Sequence, residues 1–148
     1  GMKCAVPVEW KNLTWFGRGP HESYDDREES AYVGIYNGIV SEQSFPHIMP
    51  QENGNKTDNR WLEIYDDFGS GIRITGKPFF NFNIQNYSDK DLNRSKKAHT
   101  LIRGEKNWLH IDYKQMGLGG DDSWSPRVHK EFLLKNKVYH YTYAIEPL

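Results

Sequence analysis

Hydrophobic and polar residues alternate along most of this chain, which is the pattern of β-strands that bury one face. Six segments show this pattern or are short apolar runs between turns: RWLEIYD (60–66), GIRITG (71–76), NFNI (81–84), WLHIDY (108–113), KEFLL (130–134) and VYHYTYAI (138–145). The stretch YDDFGSGIRI (65–74) places a Gly-rich turn between two of them and predicts a β-hairpin. The pattern therefore predicts an all-β, mainly antiparallel fold.

One segment departs from the alternation. In YSDKDLNRSKKAH (87–99), Ser88 is a suitable N-cap and is followed by acidic residues, whereas Lys96 and Lys97 come near the end. This order of charges matches the helix dipole, which favours acids in the first turn and bases in the last. We therefore predict one short helix over residues 89–98.

Composition narrows the fold class. Aromatic residues make up 14% of the 148-residue chain, with five tryptophans, and the chain shows no internal repeat or obvious linker. Aromatic side chains favour strands and cores, and aromatic-rich β-sandwiches often bind sugars. Residues 1–148 are accordingly predicted to form a single β-sandwich domain.

Charge, cysteine and histidine patterns exclude several classes of function. The formal net charge is −1 with acids and bases interspersed, so nothing supports nucleic-acid binding. No apolar run reaches the roughly 18 residues that a membrane-spanning helix needs. Cys4 is the only cysteine, and the six histidines lack metal-ligand spacing, so no metal or other cofactor is expected in this segment.

The loop MGLGGDDSWSP (116–126) is the strongest candidate site. Its three glycines allow backbone conformations with positive φ, or close approach to another surface. Asp121 and Asp122 can accept hydrogen bonds from sugar hydroxyls or shape the loop, and we favour shaping. Trp124 offers a flat apolar face, so it either covers the core or is held out to contact a sugar ring.

Four long motifs carry a resemblance to a known family. They occur in the order WFGRGPHESYDDR (15–27), PQENGNKTDNRW (50–61), FNIQNYSDKDL (82–92) and DYKQMGLGGDDSWSP (112–126). Together they resemble the C-terminal domain of large β-galactosidases of glycoside hydrolase family 2, over nearly the whole chain. Two positions depart from the usual Gly-Pro-x-Glu-Asn-Tyr-Pro-Asp-Arg pattern, Ser23 and Asp25, and Met49 stands where the second motif often has Arg.

The resemblance implies that this chain is the C-terminal segment of a multidomain enzyme. Such enzymes hydrolyse terminal non-reducing β-D-galactose residues with retention, and their catalytic glutamates lie in a barrel outside this segment. Magnesium and sodium would likewise be bound by other domains. The sandwich would be part of a larger sandwich of the kind seen in galactose mutarotases. The resemblance does not decide between the bacterial cytoplasm and the periplasm.

The resemblance also implies a role for Trp124. In the family, the tryptophan of this motif reaches the active site in the barrel and contacts the substrate on its aglycone side. We therefore expect Trp124 to complete the substrate pocket, with a galactoside and the remaining domains as partners. Because part of the larger sandwich is missing from this segment, unpaired strand edges are expected, and self-association through them is a prediction.

Two alternative functions are compatible with the residues. One is a free-standing carbohydrate-binding module that works by aromatic stacking. The other is a mutarotase-like enzyme, for which His21 and Glu22 would form an acid–base pair. Adjacent residues on a strand point to opposite faces, which argues against that pair.

The remaining polar clusters are interpreted as solvated loops. The acidic doublets Asp25–Asp26, Asp66–Asp67 and Asp121–Asp122 are loop-type sequences, and no motif places any of them as a glycosidase pair. PQENGN (50–55) is interpreted as an Asn-Gly turn whose polar groups face water.

Overall fold

A computed structural model describes residues 1–135 and 138–148. Its strands are β1 (Met2–Pro7), β2 (Asn12–Gly19), β3 (Tyr32–Ile39), β4 (Lys56–Tyr65), β5 (Gly71–Gln85), β6 (Lys106–Asp112) and β7 (Thr142–Pro147). The α-helix is α1 (Asp89–Arg94), and three short 3₁₀ turns span Val40–Glu42, Ala98–Thr100 and Lys130–Phe132. No helix in the described ranges is long and apolar enough to cross a membrane.

The strands of the described residues form one antiparallel sheet in the order β1-β6-β5-β4-β2-β3, with β7 added against β5. Strand β5 has 15 residues and serves several partners. It pairs with β4 in both halves, with β7 in its first half and with β6 in its second half. The predicted all-β, mainly antiparallel class with one short helix is confirmed, and the architecture is consistent with a β-sandwich.

The hydrophobic core lies on one face of this sheet. Leu13 and Trp15 alternate with polar residues along β2, and Trp15 meets Phe82 of β5 edge to face, with ring centroids 5.9 Å apart. The other buried core residues come from the neighbouring strands and the turn after β3: Val6, Val40, Leu62, Ile64, Ile74, Phe80, Ile84, Leu109 and Ile111. Burying apolar side chains on one face is what the period-two pattern specifies.

The predicted hairpin is confirmed. Strands β4 and β5 pair in register from Trp61 opposite Thr75 to Tyr65 opposite Gly71. One carboxylate oxygen of Asp66 accepts the backbone amides of Phe68 and Ser70, at 2.8 and 2.9 Å. An acidic side chain that caps its own turn is the mechanism by which Asp favours turns.

The helix begins where predicted and ends earlier. Ser88 and Asp91 form a reciprocal capping box, and α1 stops at Arg94 because Ser95 is extended. The predicted end at residue 98 is wrong. Leu92 is the only apolar residue between positions 89 and 97, so a further turn would have nothing to pack against the protein, and short helices are stabilised mainly by packing.

Near the C-terminus one strand prediction is wrong, and another is correct only in its second half. KEFLL forms a 3₁₀ turn at Lys130–Phe132, and β7 begins at Thr142 instead of Val138. The carbonyl of Phe132 accepts the backbone amide of Gly117 at 3.0 Å, which ties this segment to a loop and not to the sheet. The rings of Tyr139 and Tyr141 pack on Tyr113, with centroids 5.8 and 5.6 Å away.

Strand β3 is an edge strand with exposed apolar side chains. Within the described residues it pairs only with β2, and Tyr32 and Ile35 are 75% and 62% exposed. We expect the chain to self-associate through this edge, because unpaired backbone groups beside apolar side chains favour pairing with another strand. Sedimentation of Ile35→Lys should show weaker association than wild type, with Lys77→Glu as a control on an exposed site elsewhere. A strictly monomeric wild-type profile at high concentration would refute this prediction.

Candidate functional site

The loop that follows β6 holds Trp124 out of the protein. The indole is 93% exposed, so it is no part of the core. Its backbone is nevertheless fixed, because one carboxylate oxygen of Asp122 accepts the amides of Trp124 and Ser125, both at 2.7 Å. The loop therefore presents a large aromatic side chain from an ordered turn.

A turn distant in sequence anchors the base of this loop. Asp26 accepts the backbone amide of Gly119 at 2.8 Å, and the Arg27 guanidinium donates to the carbonyl of the same residue. Burial opposes ionisation of Asp26, but amide hydrogen bonds from Gly119 and Leu118 hold its pKa below the usual range. Asp26 and Arg27 thus bond the N–H and the C=O of one residue, Gly119, and fix the loop to the segment after β2.

Two adjacent glycines give the loop its path. Gly119 and Gly120 have φ values of +67° and +78°, a region that L side chains rarely adopt. A Cβ at Gly119 would also overlap the carbonyl oxygen of Arg127, whereas at Gly120 it would meet only the end of the Arg27 side chain, 3.8 Å away. Glycine at position 119 is therefore required both by conformation and by close backbone approach.

Asp121 pairs with a histidine on the far side of the loop. The Nε2 atom of His129 makes a short contact with the Asp121 carboxylate, and this hydrogen bond, with the negative charge, raises the pKa of His129. Both side chains are exposed to solvent. The pair borders an open groove of about 520 Å³ that is also lined by Asp122, Ser125, Arg127, Val128, Lys130 and Glu131.

A buried network of amides supports the segment before β4. The Asn53 side chain bonds the backbone N–H and C=O of Phe45, at 2.7 and 3.1 Å. The carbonyl of Asn53 accepts the Gln85 side chain at 2.7 Å, and Asn55 donates to the carbonyl of Ser23 at 2.8 Å. These amides satisfy backbone groups that would otherwise be buried without partners.

Lys56 is a buried cation at the start of β4. It is 1% exposed, and its Nζ donates to the carbonyl of Gly54 at 3.1 Å and lies 5.6 Å from the Trp15 ring centroid. Burial lowers the pKa of Lys56 from 10.5 to about 8, and the charge of Glu22 limits the decrease.

The low pKa predicts a pH-dependent stability. Because the folded-state pKa lies below the unfolded value, the unfolded chain binds more protons between about pH 8 and 10.5. The free energy of unfolding should therefore increase with pH, with Lys56 contributing about 2 kcal/mol between pH 7.5 and 9.5. Urea unfolding at both pH values measures this rise. Lys56→Met should lose it, and an equal rise in both proteins would contradict the assignment.

A second charged cluster lies beside the anchoring turn. The Nε atom of Arg18 contacts the carboxylates of Asp58 at 2.8 Å and Glu28 at 3.2 Å. Burial raises the pKa of Asp25 and of Glu28. Together with Asn81 and other residues, these three acids line a cleft of about 350 Å³. Arg18 is the structural partner of two of these acids, Asp58 and Glu28.

Comparison with known proteins identifies the family. The family model described as the β-galactosidase small chain matches residues 1–145. The chain belongs to the β-galactosidase small-chain family. The β-galactosidase of Vibrio cholerae is 43% identical to this chain over 95% of the chain. The β-galactosidase of Priestia megaterium is 40% identical to it over the whole of this chain. The β-galactosidase of Streptococcus thermophilus is 34% identical over the whole chain.

These β-galactosidases are much longer than this chain. The matched region is 13% of the Vibrio cholerae protein, 14% of the Priestia megaterium protein and 15% of the Streptococcus thermophilus protein. The relatives are named as glycosidases, so the small-chain segment occurs in larger enzymes.

The structure clarifies what each predicted site residue of this small chain does. Trp124 is exposed, whereas the carboxylate of Asp122 is used inside the loop and that of Asp121 is paired with His129. Contact of any of the three with sugar stays a prediction. The interpretation of Asp26 as solvated is wrong, because its carboxylate accepts a hydrogen bond from the backbone amide of Gly119.

Other interpretations from the sequence also change. The amides Asn53 and Asn55 are buried and not solvated, because they bond backbone groups of neighbouring segments. His21 contacts Ser30, whereas Glu22 accepts the amide of Gly54, so the two bond different partners. No group of three or more His, Cys, Asp or Glu side chains in the described ranges is arranged to hold a metal ion.

Sequence reasoning missed the anchoring role of Asp26 and Arg27. Both residues stand inside the motif WFGRGPHESYDDR, 93 and 92 positions before Gly119, the residue that they hold. No local pattern indicated this role, because the residue that Asp26 and Arg27 hold is so distant in the sequence.

Proposed function

We propose that this chain is a non-catalytic segment of a β-galactosidase that supplies Trp124 to the substrate pocket. The observation that carries the proposal is an indole 93% exposed on a loop that Asp26 holds at Gly119 and that the Asp122 carboxylate caps at Trp124. The catalytic acid and nucleophile would come from another domain, and hydrolysis would proceed with retention through a covalent intermediate. Asp121 and Asp122 would shape the loop.

The anchored loop suits an aromatic contact with sugar. Axial C–H groups of a galactoside pack on a flat indole, and this contact is worth most when the ring is already placed. Anchoring through Asp26 and Arg27 before substrate arrives reduces the entropy lost on binding. Kinetics of the full-length enzyme with Trp124 replaced test the proposal, because a pocket residue should change substrate binding and leave folding intact.

The isolated 148-residue chain should not hydrolyse galactosides. A retaining glycosidase needs two carboxyl groups about 5–5.5 Å apart on either side of the scissile bond. Three of the acids near the candidate site have structural partners instead: Asp26 bonds Gly119, and Asp58 and Glu28 pair with Arg18. Release of nitrophenol from a chromogenic galactoside should equal the buffer blank. Turnover that co-purifies with the chain and persists in a second expression host would contradict the proposal.

A free-standing carbohydrate-binding module is the second candidate. The observation that favours it is the same exposed indole, which such modules use for stacking. Titration of the isolated chain with lactose separates the two: saturable binding lost in Trp124→Ala supports a module, whereas no binding supports a pocket completed by other domains.

A further inference from the structure

A cavity of about 270 Å³ shares no lining residue with the Trp124 loop. One wall comes from the segment after β3, and the other from the end of β5, α1 and the segment after α1. The backbone amide of Ala98 donates to the carbonyl of Ile48 at 3.3 Å and joins the two walls. The lining is Val40, Ser41, Ser44, Phe45, Pro46, His47, Pro50, Gln51, Asn53, Gln85, Asn86, Tyr87, Leu92, Ala98, Leu101 and Arg103.

Several polar side chains of this cavity are not used by the protein. Within residues 1–135 and 138–148, the side chains of Ser41, Ser44, Gln51, Tyr87 and Arg103 make no hydrogen bond. By contrast, the amides deeper in the wall, such as Asn53, are occupied by backbone groups. A lining that keeps free donors around an apolar floor is the usual composition of a small-molecule site.

The charge of the cavity has one sign. No carboxylate lines it, and Arg103 stands at its exposed rim. Among the described residues, Arg103 forms no ion pair, so its charge is available to a ligand.

Size and apolar surface limit the ligand further. The volume is just below the roughly 300–1,000 Å³ of small-molecule pockets, which suits a molecule of monosaccharide size. Val40, Leu92 and Leu101 supply apolar surface, and Phe45, 64% exposed, packs edge to face on His47 with ring centroids 5.0 Å apart. Hydroxyl donors, an aromatic edge and one guanidinium suit a hydroxylated ring with an anionic group.

We propose that this cavity is a second ligand site of the chain, one that binds a monosaccharide carrying a phosphate or carboxylate. The anionic group would pair with Arg103, while Ser41, Ser44, Gln51 and Tyr87 would bond hydroxyls. The site is independent of the substrate pocket to which Trp124 is assigned.

Titrations of the 148-residue chain, followed by NMR or calorimetry, test this site. The probes are galactose 6-phosphate, galacturonate, neutral galactose and inorganic phosphate. One or both anionic sugars should bind with amide shifts at residues 40–53 and 98–103, and the tighter one identifies the anionic group. Galactose and phosphate alone should each bind at least about tenfold more weakly, since each lacks half of the contacts. Equal binding of galactose and both anionic sugars, or no binding of either anionic sugar, would overturn the proposal.

Two variants localise the ligand. Arg103→Gln should weaken the anionic sugar about tenfold or more, because a charge-assisted hydrogen bond is lost. Lys77→Gln, which removes one exposed positive charge from β5, is the matched control and should leave binding unchanged. Ala98→Trp should block the cavity from an exposed position. Wild-type affinity for the anionic sugar in both Arg103→Gln and Ala98→Trp would overturn the proposal. Trp124→Ala, which tests the galactosidase role, should leave the affinity for the anionic sugar unchanged.

Discussion

Trp124→Ala in the full-length enzyme is expected to raise KM for galactosides about five- to 150-fold. The indole contributes little to the fold because it is 93% exposed, so its loss should act mainly on substrate binding. Stacking on an aromatic side chain is worth about 1–3 kcal/mol per base in nucleic-acid complexes, and we use that range for a sugar ring. Each 1.4 kcal/mol changes an equilibrium constant tenfold. Steady-state kinetics with lactose, and with an aryl galactoside that can find other contacts, measure the effect.

The control for this variant is stability. The unfolding free energy of the 148-residue chain should change by about 1 kcal/mol or less in Trp124→Ala, as for other surface substitutions. Trp124→Phe should recover part of the KM, because a flat aromatic face is kept. Unchanged kinetics with a large loss of thermal stability would show instead that Trp124 supports the fold.

Gly119→Ala should reproduce much of the Trp124 effect without touching the indole. The new Cβ would overlap the Arg127 carbonyl oxygen at a residue whose φ is +67°, so the loop must move. Backbone strain of this kind costs about 1–3 kcal/mol, and relief by displacement would carry Trp124 away from its position. We expect KM to rise at least about fivefold, within the range given by that strain.

Gly120→Ala is the matched control for the anchor. Its φ of +78° imposes a similar conformational cost, but its Cβ would meet only the Arg27 side chain, 3.8 Å away. The difference in KM between Gly119→Ala and Gly120→Ala therefore measures the effect of the backbone clash alone. Equal KM values for Gly119→Ala and wild type would mean that the loop position is set by other domains and not by this chain.

Local features of the sequence determined the elements whose partners are close by. The alternation in GIRITG and the Asp66 turn specify a hairpin, because strands joined by a short turn pair with each other. Ser88 and Asp91 specify the start of α1 in the same way, through groups three residues apart. The four ordered motifs identified the family, which the comparisons confirm.

Only the tertiary structure decided features that depend on distant residues. Helix α1 ends at Arg94 because the residues after it, up to position 97, have no apolar side chain to pack against the protein. KEFLL forms a 3₁₀ turn because it bonds the Gly117 loop and not a strand. The anchor of the Trp124 loop joins Asp26 and Arg27 to Gly119 across more than 90 residues. The cavity beside Arg103 is lined by residues from before β4 and from after α1, which the fold brings together. Sequence spacing predicts contacts within a turn, whereas contacts between remote segments are fixed by the register and packing of the whole sheet.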